Sequence, residues 1–454
     1  MLLRFAVSNF RSIRDEQELS MVAAQAIKDD PAALIETPAL RKDKALPAAL
    51  IYGANASGKS NVVEALRFMQ RMVLDSHTDF KPGASLGRAP FRLAPEWPEK
   101  ESRFDLTFVH EGVRYQYGFT ALDDRFASEW LYSWPSGSRR ELFVREGQEF
   151  SFGRFLKGDN GLIARNTKAN SLFVSAAAQN NHEQLSFIYS FFMRLFFERL
   201  GSANALNVAR FFGAVGLDSR ILKFLGALDT GITHMRILEE DQFEIFKDLD
   251  SQRGIFKINI KPIAIPKNVS EPRKSTMLID SIQDFGSNGK IGQIADLFDP
   301  SKTKSAQLGH TTKGGEVEFF DLVDESTGTI RMLSFLGPVF SALDTGAVVI
   351  IDELDSSLHT LACEQVIALF QSPKTNPKGA QLIATTHDTN LLNPDTLRRD
   401  QIWFTEKDPE GATHLYPLTD IRTRKGDNIE KGYLQGRFGA VPFAGSVDDF
   451  IKMD

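Results

Sequence analysis

The chain is 454 residues long, enough for two or three domains, although a fold whose site is split by an insertion keeps one core across that length. With 42% hydrophobic and 25% charged residues it groups with globular chains and not with disordered or fibrous ones. A net charge of −6, from 53 basic and 59 acidic residues, excludes a surface that is basic throughout, so any nucleic-acid contact has to come from a local patch.

Residues 2–13 alternate as a strand does, and residues 18–22 follow as a second, shorter one. The opening Met1-Leu2-Leu3-Arg4-Phe5 has neither the apolar core nor the cleavage pattern of a signal peptide, so a cytoplasmic protein is expected. Ala48-Ala49-Leu50-Ile51-Tyr52 is a buried strand that runs into a glycine loop, and Val62, Leu66, Met69 and Val73 beyond it mark one face of a helix. From Phe91 to Trp134 the period falls to two, in runs such as residues 104–108 and 115–119, which predicts an antiparallel meander.

Residues 165–250 read mainly as helices. They include a Phe-rich window, residues 187–198, interrupted by Arg194 and Glu198 and shorter than the roughly 17 to 25 residues of a membrane span. It predicts a helix packed either in a core or in an interface between subunits. A strand is expected at residues 255–260 and loops from Pro266 to Lys313.

Regularity returns with a strand at 317–322 and a helix through Leu333, Leu336, Phe340 and Leu343 that Pro338 should bend or bound. The apolar strand Val348–Ile351, a helix with Leu358, Leu361, Val366 and Leu369, and strands at 381–387 and 401–405 complete an α/β core resumed after an insertion. The lone Cys363 excludes an internal disulfide and counts against a cysteine zinc site; it is either a buried inert thiol or a reactive one. The expected organisation is a first lobe at 1–150, a largely helical and loop-rich insertion at 151–313, and a second lobe at 314–454.

Gly53-Ala54-Asn55-Ala56-Ser57-Gly58-Lys59-Ser60 fits G-x-x-x-x-G-K-[ST], a loop whose backbone N–H groups turn inward around phosphate oxygens. Gly53, Asn55, Ser57 and Gly58 shape that cradle, and Asn61 opens the helix whose positive end completes it. Lys59 is expected on the β- and γ-phosphates and Ser60 on Mg²⁺. Asp352 ends an apolar strand, where its carboxylate reaches the Mg²⁺ shell, and Glu353 beside it is the candidate general base. Consecutive acids after a strand also occur as plain solvent-facing turns; the glycine loop favours the catalytic reading. His387 closes the next apolar strand as a candidate γ-phosphate contact, with Asp355 expected in a loop at a subunit boundary. Glu325-Ser326-Thr327-Gly328-Thr329 precedes a helix, so Ser326 and Gly328 either cap it or close over a nucleotide held by another subunit.

With Asn9-Phe10-Arg11-Ser12 and Ile351-Asp352-Glu353-Leu354-Asp355-Ser356-Ser357-Leu358-His359, these motifs resemble the ABC-type ATPase heads of SMC, RecF and OLD proteins. Residues 325–329, His387 and the terminal residues 433–442 carry a narrower resemblance to the stand-alone OLD-like ATPases of bacterial abortive infection, the RloA and AbiLi type. It spans essentially the whole chain, the middle third least. The resemblance implies an ABC/SMC-type P-loop head with a mixed sheet and an antiparallel meander, hydrolysing ATP with Mg²⁺ between two heads of a homo-oligomer. Lys59 and Ser60 then bind phosphate and magnesium, Asp352 magnesium, Glu353 is the base, His387 the switch, Ser326 acts in trans and Arg11 touches phosphate.

Two departures stand out. No glutamine occurs between Arg71 and Gly112, where the water-positioning loop is expected. OLD nucleases continue into a Toprim domain, whereas the tail here lacks a carboxylate cluster for two metals, so a separate nuclease effector and a phage-encoded trigger are the implied partners. The rivals are a RecF-like ATPase that clamps DNA, with salt-sensitive binding, and a nucleotide-binding regulator without turnover.

Overall fold

The computed structural model describes residues 1–27, 33–198, 218–228, 230–240, 243–250, 255–262, 303–424 and 426–441, with Val208 and Phe212. The strands are β1 (Leu2–Ser8), β2 (Gln17–Ser20), β3 (Ala48–Gly53), β4 (Ser102–His110), β5 (Val113–Ala121), β6 (Phe126–Trp134), β7 (Arg140–Glu146), β8 (Glu149–Phe152) and β9 (Leu195–Glu198). They continue as β10 (Ile232–Glu240), β11 (Phe243–Asp250), β12 (Ile255–Pro262), β13 (Thr303–Thr311), β14 (Val317–Asp321), β15 (Val348–Ile351), β16 (Gln381–Thr385), β17 (Ile402–Lys407) and β18 (Thr413–Pro417). The helices are α1 (Lys59–Asp75), α2 (Asn160–Asn166), α3 (Phe173–Gln179), α4 (Glu183–Phe192), α5 (Ser219–Ala227), α6 (Thr327–Thr345), α7 (Thr360–Gln371) and α8 (Ile429–Leu434). Contacts divide the chain into two units, Met1–Ser202 with Ser334–Asp454, and Ala203–Leu333.

The first unit holds two sheets. One is an antiparallel meander in the order β2-β1-β4-β5-β6-β7-β8; the other runs β18-β17-β3-β16-β15-β9. In the second sheet β17, β3, β16, β15 and β9 are parallel and β18 closes one edge antiparallel. Its central strands are continuous apolar runs because both faces are covered. Helix α1 buries Val62, Val63, Leu66, Phe68, Met69, Met72 and Val73, and these join residues of both sheets in one core. Phe68 meets Phe10 at 5.5 Å and Phe104 at 5.0 Å between ring centroids, which ties the helix to the meander.

Buried polar groups fix the meander to α3. Glu129 and Arg145, both fully buried, lie 3.5 Å apart, and the Glu129 carboxylate accepts from the Tyr117 hydroxyl and from the backbone N–H groups of Phe173 and Val174. Those bonds satisfy the opening turn of α3.

The Phe-rich window departs from the expected single helix. Helix α4 ends at Phe192, and Leu195–Glu198 forms β9, paired in register with Val348–Ile351. Phe192 is buried against Tyr117 at 5.6 Å and Phe108 at 6.1 Å, so this ring belongs to the core and not to a subunit interface. A four-residue aromatic strand buried beside a parallel neighbour has no alternation to mark it off from the helix it follows.

In the second unit, β10, β13 and β14 form an antiparallel sheet, β11 and β12 pair as a hairpin, and α5 packs on β10. Segments expected as helix or loop are therefore strands here: β10 and β11 fall within 165–250, and β13 within 266–313. Residues 266–302 of that expected loop stretch lie outside the described residues. Helix α6 continues through Pro338 to Thr345, and Cys363 is buried on α7.

Candidate functional site

Strand β3 feeds the glycine loop from the middle of the parallel sheet, and β16 separates it from β15, so the carboxyl ends of all three converge. The loop closes at Gly58, φ +113°, before α1 begins at Lys59. A side chain there is excluded twice, by that φ and because a Cβ would lie 2.1 Å from Thr413 Oγ1.

Hydroxyl groups from distant segments hold the loop. Ser57 Oγ lies 2.6 Å from Thr405 Oγ1 on β17, and Thr413 Oγ1 on β18 donates to the Ser57 carbonyl at 2.8 Å. Ser12 Oγ lies 2.7 Å from Thr413 Oγ1 and accepts from Asn61 Nδ2 at 2.6 Å. The chain turns sharply into this contact through Asn9 and Arg11, at φ +52° and +51°. Arg11 itself is partly exposed and pairs with Glu64 at 3.4 Å.

Lys59 is buried, and its ammonium donates to the carbonyls of Gly53 at 2.8 Å and Ala54 at 3.1 Å. Desolvation lowers its pKa to about 8, against the opposing pull of Glu353, Asp352 and Asp355. Ser60 Oγ donates to Asp352 Oδ1 at 3.1 Å. A hydroxyl and a carboxylate, both hard oxygen donors of the kind Mg²⁺ takes, thus face one another.

Thr385, which sequence reasoning did not single out, joins the two acids. Fully buried at the end of β16, it donates to Asp352 Oδ1 at 2.6 Å and accepts from the Glu353 backbone N–H at 2.7 Å. Glu353 sits at φ +54°, a left-handed backbone that costs a non-glycine residue about 1–3 kcal/mol and needs such bonds to persist. Two threonines ending an otherwise apolar strand, Thr385-Thr386, were the available signal.

Asp355 Oδ1 accepts from the His387 backbone N–H at 3.1 Å, so these two predicted residues meet within one chain. Asp388 caps the turn after β16 and accepts from the Thr360 hydroxyl at the start of α7. Glu198 ends β9 on the other flank of β15; its carbonyl accepts from the Asp352 N–H at 3.4 Å and its carboxylate from Ser334 Oγ at 2.9 Å. The Asp352 strand is therefore flanked by β16 and β9, while Arg71 to Gly112, where the water-positioning glutamine is expected, leads into the meander.

Ser326 caps α6, its Oγ accepting from the Thr329 N–H at 3.1 Å, and Gly328 lies in the first turn. Both belong to the second unit. The structure thus gathers Gly53, Ser57, Gly58, Lys59, Ser60, Asn61, Asp352, Glu353, Asp355 and His387 on the first unit; Asn55 stands in the same loop and Arg11 at its edge. At the tail, Tyr433 of α8 stacks on Phe404 at 5.4 Å and meets Tyr52 at 6.2 Å, and Phe438 is buried beside them.

Residues 48–393 match the family described as AAA domain, putative AbiEii toxin, Type IV TA system. No curated protein matches the chain. Among the described residues no helix is long and apolar enough to cross a membrane. The match takes in the glycine loop, the Asp352-Glu353 pair and His387, and covers well over half of the sequence, so the chain belongs to this AAA-domain family of P-loop ATPases linked to abortive infection.

Proposed function

We propose that the protein hydrolyses ATP with Mg²⁺ and serves an abortive-infection defence system as a sensor and scaffold that binds and controls a separately encoded nuclease, of Toprim type. The observation that carries hydrolysis is the Thr385 bridge, which holds the magnesium-binding Asp352 and the base Glu353 in one bonded unit. Lys59 leaves its loop carbonyls for the β- and γ-phosphates; Glu353 takes the proton of the attacking water; His387 contacts the γ-phosphate. Ser326 and Gly328 act on the ATP of a second copy, giving a homo-oligomer with nucleotide between its heads. A helix start carrying a serine and a glycine suits that role.

The partner reading rests on the resemblance to OLD-like ATPases of the RloA and AbiLi type, a group that includes AriA of the PARIS system; the family description supports only the link to abortive infection. Co-purification with the product of the adjacent gene, with and without ATP, tests it. A stable complex with a nuclease supports the reading. Isolation of the ATPase alone under both conditions refutes the partner.

A further inference from the structure

We propose that the outer face of the meander, at the end bearing Arg114 and Arg139, binds single-stranded nucleic acid. Alternate residues of β4, β5 and β6 point away from the core, and register sets Arg114 directly opposite Trp134. The Arg114 guanidinium lies 4.4 Å from the Trp134 ring centroid, and Arg139, from the β6–β7 turn, lies 3.8 Å from that of Tyr132, two residues along the same strand. Arg41, at φ +58°, lays its guanidinium against Gly137 of that turn, and Arg4 stands on β1, with β4 between it and β5.

Four guanidiniums therefore gather at one end of a sheet in a chain whose net charge is −6. Arg4 has an exposed partner, Glu18, at 3.7 Å; Arg41, Arg114 and Arg139 have no ion-pair partner among the described residues. Partial burial and then the charges of Arg4 and Arg41 lower the pKa of Arg114, the mark of a cation crowded by cations. Charge alone fits any polyanion. Guanidinium planes seated on rings offer more: flat faces on which bases stack, with N–H groups left at the rim for phosphates. An acidic polypeptide uses only the charge.

The proposal is independent of ATP turnover, so the test omits nucleotide. Fluorescence anisotropy of the full-length protein with labelled oligo-dT, and separately oligo-rU, is recorded across salt concentration for wild type and for Arg114→Gln/Arg139→Gln. Binding is expected for one or both oligomers, and the double variant should lower the slope of log affinity against log salt by about 1.4, the loss of two phosphate contacts on a single strand. Trp134→Leu, which keeps every charge, should weaken binding at least threefold with the slope unchanged. Absence of binding, identical slopes for wild type and double variant, or competition by poly-glutamate equal to that of unlabelled oligomer at matched charge each overturns the proposal. ATPase assays on the same variants, expected to match wild type, keep a misfolded variant from being mistaken for a lost contact.

Discussion

Replacing Thr385 by valine removes one oxygen and leaves shape nearly unchanged, yet it breaks both bonds that join Asp352 to Glu353. The bond to the ionised Asp352 carboxylate is worth about 1.5–3 kcal/mol, and stranding the Glu353 N–H costs about 1–3 kcal/mol more. Part of this appears as lost stability, because Thr385 is fully buried. On the proposed role of Glu353 as base, the part that matters for turnover is the hold on it at φ +54°, since a base free to leave that backbone no longer aims at the attacking water. If about 2 kcal/mol of orientation is lost in the transition state, kcat falls about thirtyfold. KM for ATP should shift less than threefold, because Lys59 and the loop amides are untouched. Thr385→Ser keeps the hydroxyl and should stay within threefold of wild type. Steady-state phosphate release at saturating ATP decides the matter: a valine variant within twofold of wild type, in a protein whose hydrolysis still depends on Glu353, refutes the bridge as a positioning device.

Glu353→Gln should bind ATP within a few-fold of wild type and lose at least about a hundredfold in hydrolysis, measured by filter binding and phosphate release; equal turnover removes Glu353 as the base. Because free Lys59 has a pKa of about 8 and phosphates restore its charge, ATP binding should take up roughly 0.9 proton at pH 9 and roughly 0.1 at pH 7, with affinity falling above pH 8. Calorimetry in buffers of different ionisation enthalpy reads this, and Lys59→Arg should abolish it. Arg145→Leu leaves Glu129 charged and buried without its partner and should cost about 3–5 kcal/mol in denaturant unfolding. Phe192→Ser opens the aromatic core and should cost about 3–5 kcal/mol whatever the oligomeric state; an unchanged midpoint would return the ring to an interface role.

The place of the loop was legible because its signal is local. A glycine loop must show its glycines, and Gly58 has no alternative where Thr413 occupies the place of a Cβ. The flanking strand and helix were equally plain, since β3 and β15 are unbroken apolar runs and α1 shows one face. What was missed is non-local. Thr385, Thr405 and Thr413 belong to no motif and act only once β18, β17, β3 and β16 stand in one sheet. Strand β9 was hidden for the same reason: four residues after a helix, its identity comes from the strand beside it.

The hydroxyl ties also bear on how the site can respond to ATP. The loop is held at Ser57 from β17 and β18, its helix at Asn61 from Ser12, and its opposite wall at Thr385. A loop so held has little conformational entropy left to lose on binding. Lys59 is the exception: two of its three ammonium donors are held by Gly53 and Ala54, and the proposed role on the phosphates has it exchange them as ATP enters. Those carbonyls then lose their partner, while the ammonium gains a charged one in a desolvated place, where an ionic hydrogen bond is stronger than the neutral-acceptor bonds it replaces. In the proposed mechanism, Lys59 is thus the side chain of the loop that changes partners when ATP enters. Asp355, bonded to the His387 backbone, lies on that same frame. If the proposed γ-phosphate contact moves His387, its backbone N–H carries that displacement to the Asp355 carboxylate it bonds.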